Sequence, residues 1–252
     1  MVYFVGAGSG DVELITVKGM KLLEKADIII YAGSLVNKEL LEYARKDCEI
    51  FNSAYMTLEQ VTDIMISENN KDKLIVRLHT GDPSIYGAIR EQIDILDANH
   101  IPCQVVPGVS SFLAAAASLK AEYTLPNVSQ TVIITRMEGR CPVPEKESIV
   151  SLASHKASMA IFLSSSMTKQ LAQRLVEGGY SEDTKAAIVY KASWGDEEKY
   201  LCTIKTLDET AKKHGITKTA LILVGDFLGD EYEKSKLYDK HFTHMFRKGI
   251  DE

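Results

Sequence analysis

The stretch LIVRLHTGDPSIYG, residues 74–87, decides the fold. Leu74, Ile75 and Val76 form an apolar run with two β-branched members, the pattern of a buried strand. Thr80, Gly81, Asp82 and Pro83 stop it: glycine opens backbone space closed to other residues, and proline fixes φ and lacks an N–H. Beyond the break Ile85, Ile89, Ile93 and Leu96 recur at helical spacing, with Asp82 or Ser84 available as N-cap. The stretch therefore reads as strand, sharp loop, helix. In open α/β sheets ligands settle at the carboxyl ends of strands, where such loops lie. His79 closes the strand beside that position, and an ordinary strand histidine explains it equally well.

The same alternation runs outward on both sides. Val2 to Val5 form a strand ending in the glycine-rich GAGSGD, residues 6–11, where the backbone can come close to a ligand or to another chain segment. Thr16 caps a helix with Val17, Met20 and Leu23 on its apolar face. Ile28 to Ile30 form a second strand, and Thr57 with Gln60 makes a capping box. Gln104 to Val106 form a strand ending in PGVSS, where Ser110 or Ser111 caps an alanine-rich helix. Periodicity lapses in EYTLPNVSQ, residues 122–130. A second series then begins: strands at residues 131–135, 159–163, 186–190 and 220–224, and one at 198–204 suited to antiparallel pairing. Thr206 with Glu209 spells a second capping box, and residues 136–147 a long loop. The expected fold is α/β: two α/β domains, 1–121 and 131–252, joined by a linker at 122–130, with mixed, largely parallel sheets.

The chain has 252 residues, 45% hydrophobic and 25% charged, with a net charge of −6. This is the composition of an ordinary globular protein, and the acidic balance argues against general binding to nucleic acid or to a membrane surface. No apolar run reaches membrane-spanning length, and MVYFVGAG shows no basic leader, so a cytoplasmic location is expected. Cys48, Cys103, Cys141 and Cys202 form no Cys-x-x-Cys and read as buried, reduced thiols.

Familiar motifs fit poorly. A dinucleotide fingerprint would need glycine where Asp11 stands, and a carboxylate there would repel a pyrophosphate. A nicotinamide-dependent oxidoreductase thus rests only on the glycine loop and the α/β pattern; a non-catalytic binding module is the other competitor. No Gly-Lys-Ser/Thr marks a P-loop. Ser164 to Ser166 lack a nucleophile-elbow context. His241 and His244 lie three apart near Asp239, an incomplete metal site in a polar tail. No metal is expected.

Taken together, GAGSGD with LITVKG, HTGDPSIYG (79–87), VVPGVSS (105–111), IFLSSS (161–166) and TALILVGDFL (219–228) resemble, in order, the motifs of the tetrapyrrole (precorrin) methyltransferase family. YAGSLVN (31–37) and TGDPSIYGAIREQ (80–92) resemble the branch that methylates C11 of precorrin-4 or its cobalt form in cobalamin biosynthesis. The resemblance implies two α/β domains holding S-adenosylmethionine between them, a fold distinct from the Rossmann-type methyltransferases, and a homodimer. By motif position it implies cofactor contacts from Thr80, Gly81, Asp82, Ser84, Ile85, Tyr86, Ser110, Ser111, Leu163, Tyr190, Thr219 and Ala220. The loop carrying Gly6, Gly8 and Gly10 would face the tetrapyrrole. S-adenosylhomocysteine would be the product. A macrocycle ringed with carboxylates suits arginine forks; Arg77, Arg90, Arg136 and Arg140 are the candidates, with a solvated surface charge as the competing role for each and a buried structural pair for Arg77. Asp11 is the candidate for a base or a substrate contact, with a structural cap as the competing role. The loop 136–147 is a candidate lid.

Overall fold

The computed structural model describes residues 1–139 and 141–250; Arg140, one of the expected substrate arginines, lies outside the described residues. The chain divides into two compact units, Met1–Ala115 with Lys191–Glu197, and Ala116–Tyr190 with Glu198–Glu252.

The first unit is built on five parallel strands in the order β3-β2-β4-β1-β5: β1 (Val2–Gly6), β2 (Ile28–Tyr31), β3 (Glu49–Asn52), β4 (Ile75–His79) and β5 (Cys103–Val106). The central β4 is buried along its whole length, as a strand flanked on both sides and covered on both faces must be. One face packs Val5, Leu23, Ile29, Val76 and Leu78. The other packs Phe4, Ile28, Ile30, Ile75 and Leu96. The connecting helices are α1 (Val17–Leu23), α2 (Leu58–Asn69) and α3 (Ile89–Ala98), followed by α4 (Ser111–Leu119), inside which the division falls. Thr16 caps α1 as expected, although Val17 faces solvent and Gly19 and Leu23 are the buried positions. Thr57 and Gln60 form both halves of their capping box.

The second unit has the order β6-β7-β10-β8-β9: β6 (Val132–Arg136), β7 (Ser158–Phe162), β8 (Lys185–Tyr190), β9 (Glu198–Thr203) and β10 (Ala220–Val224). Only β6 and β7 pair in parallel; β7–β10, β10–β8 and β8–β9 are antiparallel. Parallel pairing thus dominates across the two sheets together, and β9 is antiparallel as its pattern suggested. The helices α5 (Ile149–Ala153), α6 (Thr168–Glu177) and α7 (Leu207–Lys213) bury Ile149, Leu171, Leu175 and Leu207 against this sheet.

Several sequence expectations change here. Residues 122–130 belong to the second unit, because Ser158 Oγ donates to the Tyr123 carbonyl, Ser158 N donates to Ser129 Oγ, and the Tyr123 ring packs at a tilt against Phe227. Residues 191–197 belong to the first unit although they join β8 to β9. The Thr206 hydroxyl turns back to Thr203 and does not cap α7. Cys141 is exposed and the other three cysteines are half-buried.

Candidate functional site

At the carboxyl edge of the first sheet the loops leaving β1, β4 and β5 are fastened to one another. Gly8 and Gly81 form a bridge, with Gly81 N donating to Gly8 O at 2.8 Å and Gly8 N to Gly81 O at 3.3 Å. Asp82 carries the network onward: its carboxylate accepts from the Ser84 amide at 2.8 Å, from the Ser84 hydroxyl, and from Gly108 N at 2.9 Å. Burial pushes the Asp82 pKa up, but the bonds from Ser84 and Gly108 outweigh it and hold the carboxyl below its ordinary value. A Cβ on Gly6 would stand 2.6 Å from both Gly108 Cα and Gly81 O, and one on Gly108 would be closer still to Gly81 O. Three backbones meet where no side chain fits.

This geometry revises the expected roles. Asp82 and Ser84 do not cap α3, which begins only at Ile89 behind a left-handed Ala88. Residues 82–88 form instead a loop in which Tyr86 and Ala88 hold positive φ. Such backbone in non-glycine residues costs free energy and concentrates at functional sites. Thr80, Ile85 and Ser111 are half-buried around the loop, Ser110 is buried and Tyr86 is exposed. Glycine at 6, 8 and 10 answers to the chain itself: Gly6 to the neighbouring loops, Gly8 to the Leu14 carbonyl, and Gly10 to the Trp194 indole. Asp11 is exposed and caps a short 3₁₀ turn, accepting from Glu13 N at 2.9 Å. The structural cap weighed for it is therefore present.

The arginines separate. Arg77 is 7% exposed and points into the core, where Nε donates to Gln92 Oε1 and Nη1 to the Ile30 carbonyl, each at 3.1 Å. Burial lowers its pKa to about 10. It is a structural group, paired with an amide and a carbonyl rather than with a carboxylate. His79, 3% exposed, lies two residues along on the same face; among the described residues its Nε2 has no hydrogen-bond partner. Burial first, and the Arg77 charge second, lower its pKa to about 3, so the ring is neutral. Arg90 lies on the surface, paired with Asp94 at 2.8 Å.

The second unit presents its own sheet edge. Register places the carboxyl ends of β6, β7 and β8 beside the start of β10, with Arg136 opposite Phe162 and Ala220 opposite Tyr190. Leu163, Tyr190, Thr219 and Ala220 therefore collect at one end of this sheet. Leu163 (φ +53°) and Thr219 (φ +58°) both hold left-handed backbone, and the Leu163 side chain is 64% exposed. For a bulky and a β-branched residue that conformation is unusual. Arg136 donates to the carbonyls of Met137, Cys141 and Pro142, so its guanidinium staples its own loop. The large cavity of this unit, about 940 Å³ between α6 and α7, contains none of these residues. In the tail, His241 Nδ1 lies 2.7 Å from the Ile250 carbonyl and His244 Nδ1 accepts from Phe246 N. Among the described residues no three His, Cys, Asp or Glu side chains gather as metal ligands.

Sequence reasoning passed over Asn37, Ser193 and Trp194. Asn37 Nδ2 donates to the Gly10 carbonyl at 3.0 Å, and the segment Lys191–Glu197 reaches the same glycine loop. The one available signal was the chain's single tryptophan, set between serine and glycine in a strand connection.

Glycine-tied loops at the strand ends of the first sheet, and left-handed backbone at Leu163 and Thr219 at one end of the second, mark two candidate binding edges on a two-unit α/β fold. Residues 1–208 match the family model of tetrapyrrole (corrin/porphyrin) methylases, and the chain belongs to that family. It is 59% identical to the cobalt-precorrin-4 C(11)-methyltransferase of Methanocaldococcus jannaschii, covering 98% of this chain and 96% of that protein. It is 47% identical to the enzyme of the same name from Priestia megaterium, over 99% and 98%. The X-ray structure of a cobalamin biosynthetic enzyme, cobalt-precorrin-4 methyltransferase, superposes with a TM-score of 0.89 at 46% identity, covering 91% of this chain and 96% of that one. The fold is thus that of the tetrapyrrole methylases.

Proposed function

We propose that this chain transfers a methyl group from S-adenosylmethionine to C11 of cobalt-precorrin-4 in cobalamin biosynthesis. The observation that carries the reading is 59% identity, end to end, to a relative of that name. It works as a homodimer in the cytoplasm. Among the described residues no helix is long and apolar enough to cross a membrane.

The residues fit the cofactor. A nucleoside with an amino-acid tail needs backbone donors, apolar surface and loops that tolerate close approach. The Gly81 loop offers left-handed backbone at Gly81, Tyr86 and Ala88, and the second sheet offers it at Leu163 and Thr219. We assign Thr80, Gly81, Ser84, Ile85, Tyr86, Ser110 and Ser111 to cofactor binding, with Asp82 setting the loop's shape. From the second unit Leu163, Tyr190, Thr219 and Ala220 join them. When bound, S-adenosylmethionine would supply an electrophilic methyl on a cationic sulfur, and the leaving group would be a neutral thioether. No acid is required to protonate the leaving group. The chain's task is orientation and exclusion of water, worth about 7–11 kcal/mol at best. Asp11, exposed at the strand end, is the group assigned to the tetrapyrrole.

Calorimetric titration with S-adenosylhomocysteine, with NAD as control, is the first test. Binding of the former alone supports the reading; binding of NAD alone overturns it. Turnover of cobalt-precorrin-4 with methylation at another carbon would keep the family role and correct the position.

A further inference from the structure

Residues 9–11 are held from outside their own loop at three backbone groups: the Ser9 carbonyl, the Gly10 carbonyl (by Asn37) and the Asp11 amide. Trp194 Nε1 donates to the Ser9 carbonyl at 3.0 Å. Ser193 Oγ lies 2.8 Å from Ser9 Oγ and accepts from the Asp11 amide at 3.1 Å. The Trp194 indole covers Gly10 so closely that any Cβ there would overlap the ring. Both partners come from the segment Lys191–Glu197, about 180 residues away in sequence. That segment is braced within itself. Ser193 N donates to Glu197 Oε2 at 2.7 Å, Trp194 N to the Lys191 carbonyl, and Lys191 Nζ pairs with Asp196 and lies 5.5 Å from the indole centroid. Lys191 (φ +47°) and Ser193 (φ +68°) both hold left-handed backbone. Strain of this kind persists only where surrounding contacts over-determine it.

We propose that Lys191–Glu197 is a clamp that fixes residues 9–11 in the shape that presents Asp11 to the tetrapyrrole, with Ser193 and Trp194 as its positioning residues. The inference rests on the methyltransferase reading above and assigns those two residues a part in recognition of the macrocycle. A passive strand connection would need neither the indole–glycine contact nor a serine shared between Ser9 and Asp11. The hydrogen bonds that Ser193 and Trp194 make to another segment end on Ser9 and Asp11, so a defect at either residue should fall on the macrocycle first.

The test uses the full chain in four forms: wild type, Ser193→Ala, Trp194→Phe and Gly10→Ala. Because Trp194 is the only tryptophan, its emission reports the contact without any ligand. Gly10→Ala should shift that emission and increase acrylamide quenching; unchanged emission and quenching overturn the clamp. Ser193→Ala and Trp194→Phe should lower kcat/KM for cobalt-precorrin-4 by about tenfold, the worth of one or two hydrogen bonds. Their affinity for S-adenosylhomocysteine should stay within about twofold of wild type, since an added defect of one hydrogen bond would exceed that. Trp194→Phe loses both the indole N–H and the pyrrole atoms that cover Gly10, so it should be the more severe of the two. Equal losses for both ligands, or unchanged kcat/KM, overturn the positioning role. If wild type binds S-adenosylhomocysteine but does not turn over the tetrapyrrole, the substrate reading fails and takes that role with it. The emission arm decides the contact in either case.

Discussion

The two sheet edges solve one problem by opposite means. In the first unit, loops leaving parallel strands approach until only glycine fits at Gly6 and Gly108, which pack on each other and on the Gly81 carbonyl, and the Asp82 carboxylate ties two of the loops together. In the second, the strands are mostly antiparallel and the edge is formed by Leu163 and Thr219, ordinary side chains on left-handed backbone. The first edge removes Cβ atoms to gain proximity; the second keeps its side chains and accepts conformational cost. A glycine added or removed should therefore have opposite consequences at the two edges.

Acid should distinguish the units most strongly. The unfolded chain takes up a proton on His79 near its ordinary value of 6.5, while the folded chain refuses it until about 3. Between those values the unfolded state binds more protons, so stability is full above about 6.5 and falls as pH drops. The loss approaches about 1.4 kcal/mol per pH unit from this one group. His79→Gln should flatten the decline between pH 6.5 and 3, measured by denaturant unfolding followed at Trp194. An unaltered slope would detach the acid response from His79.

Next in size is Gly6→Ala. Its Cβ would meet backbone that cannot step aside, so roughly 3 kcal/mol of stability should be lost, the upper end for overpacking. A thermal midpoint lowered by several degrees would register it; a tolerated alanine would mean that the three loops are not packed as described. Asp82→Ala removes the acceptor for Ser84 and Gly108. It should weaken S-adenosylhomocysteine binding about tenfold through loss of loop shape, and an unaltered calorimetric affinity would remove this loop from the cofactor site. The smallest effect is expected from Leu163→Gly. Most of the side chain is exposed and its φ suits glycine, so stability should change by less than about 1 kcal/mol, or rise. A large destabilisation would make the second edge as dependent on packing as the first.

How much could be read in advance follows the same contrast. The strand–loop–helix around Gly81 was legible because glycine and proline interrupt an apolar run, and the capping box at Thr57 because its two partners lie close in sequence. The left-handed Leu163 and Thr219 were not, since nothing in their side chains announces that backbone. Arg77 read as a carboxylate-binding fork and proved to be a core residue, because a strand's alternation places it inward beside Ile30 and Gln92. Arg136 read the same way and proved to fasten its own loop.

By itself, then, the sequence determined the α/β alternation and the caps at Thr16 and Thr57, which rest on neighbours within a few residues, and the family, which rests on short motifs in order along the chain. Tertiary structure alone decided three things: that the second sheet is largely antiparallel, that Gly10 is small to receive Trp194, and that Lys191–Glu197 leaves its neighbours in sequence to join the first unit. The reason is range. Propensities and caps are local, whereas pairing direction and the fit of an indole over a glycine depend on residues brought together from 180 positions away.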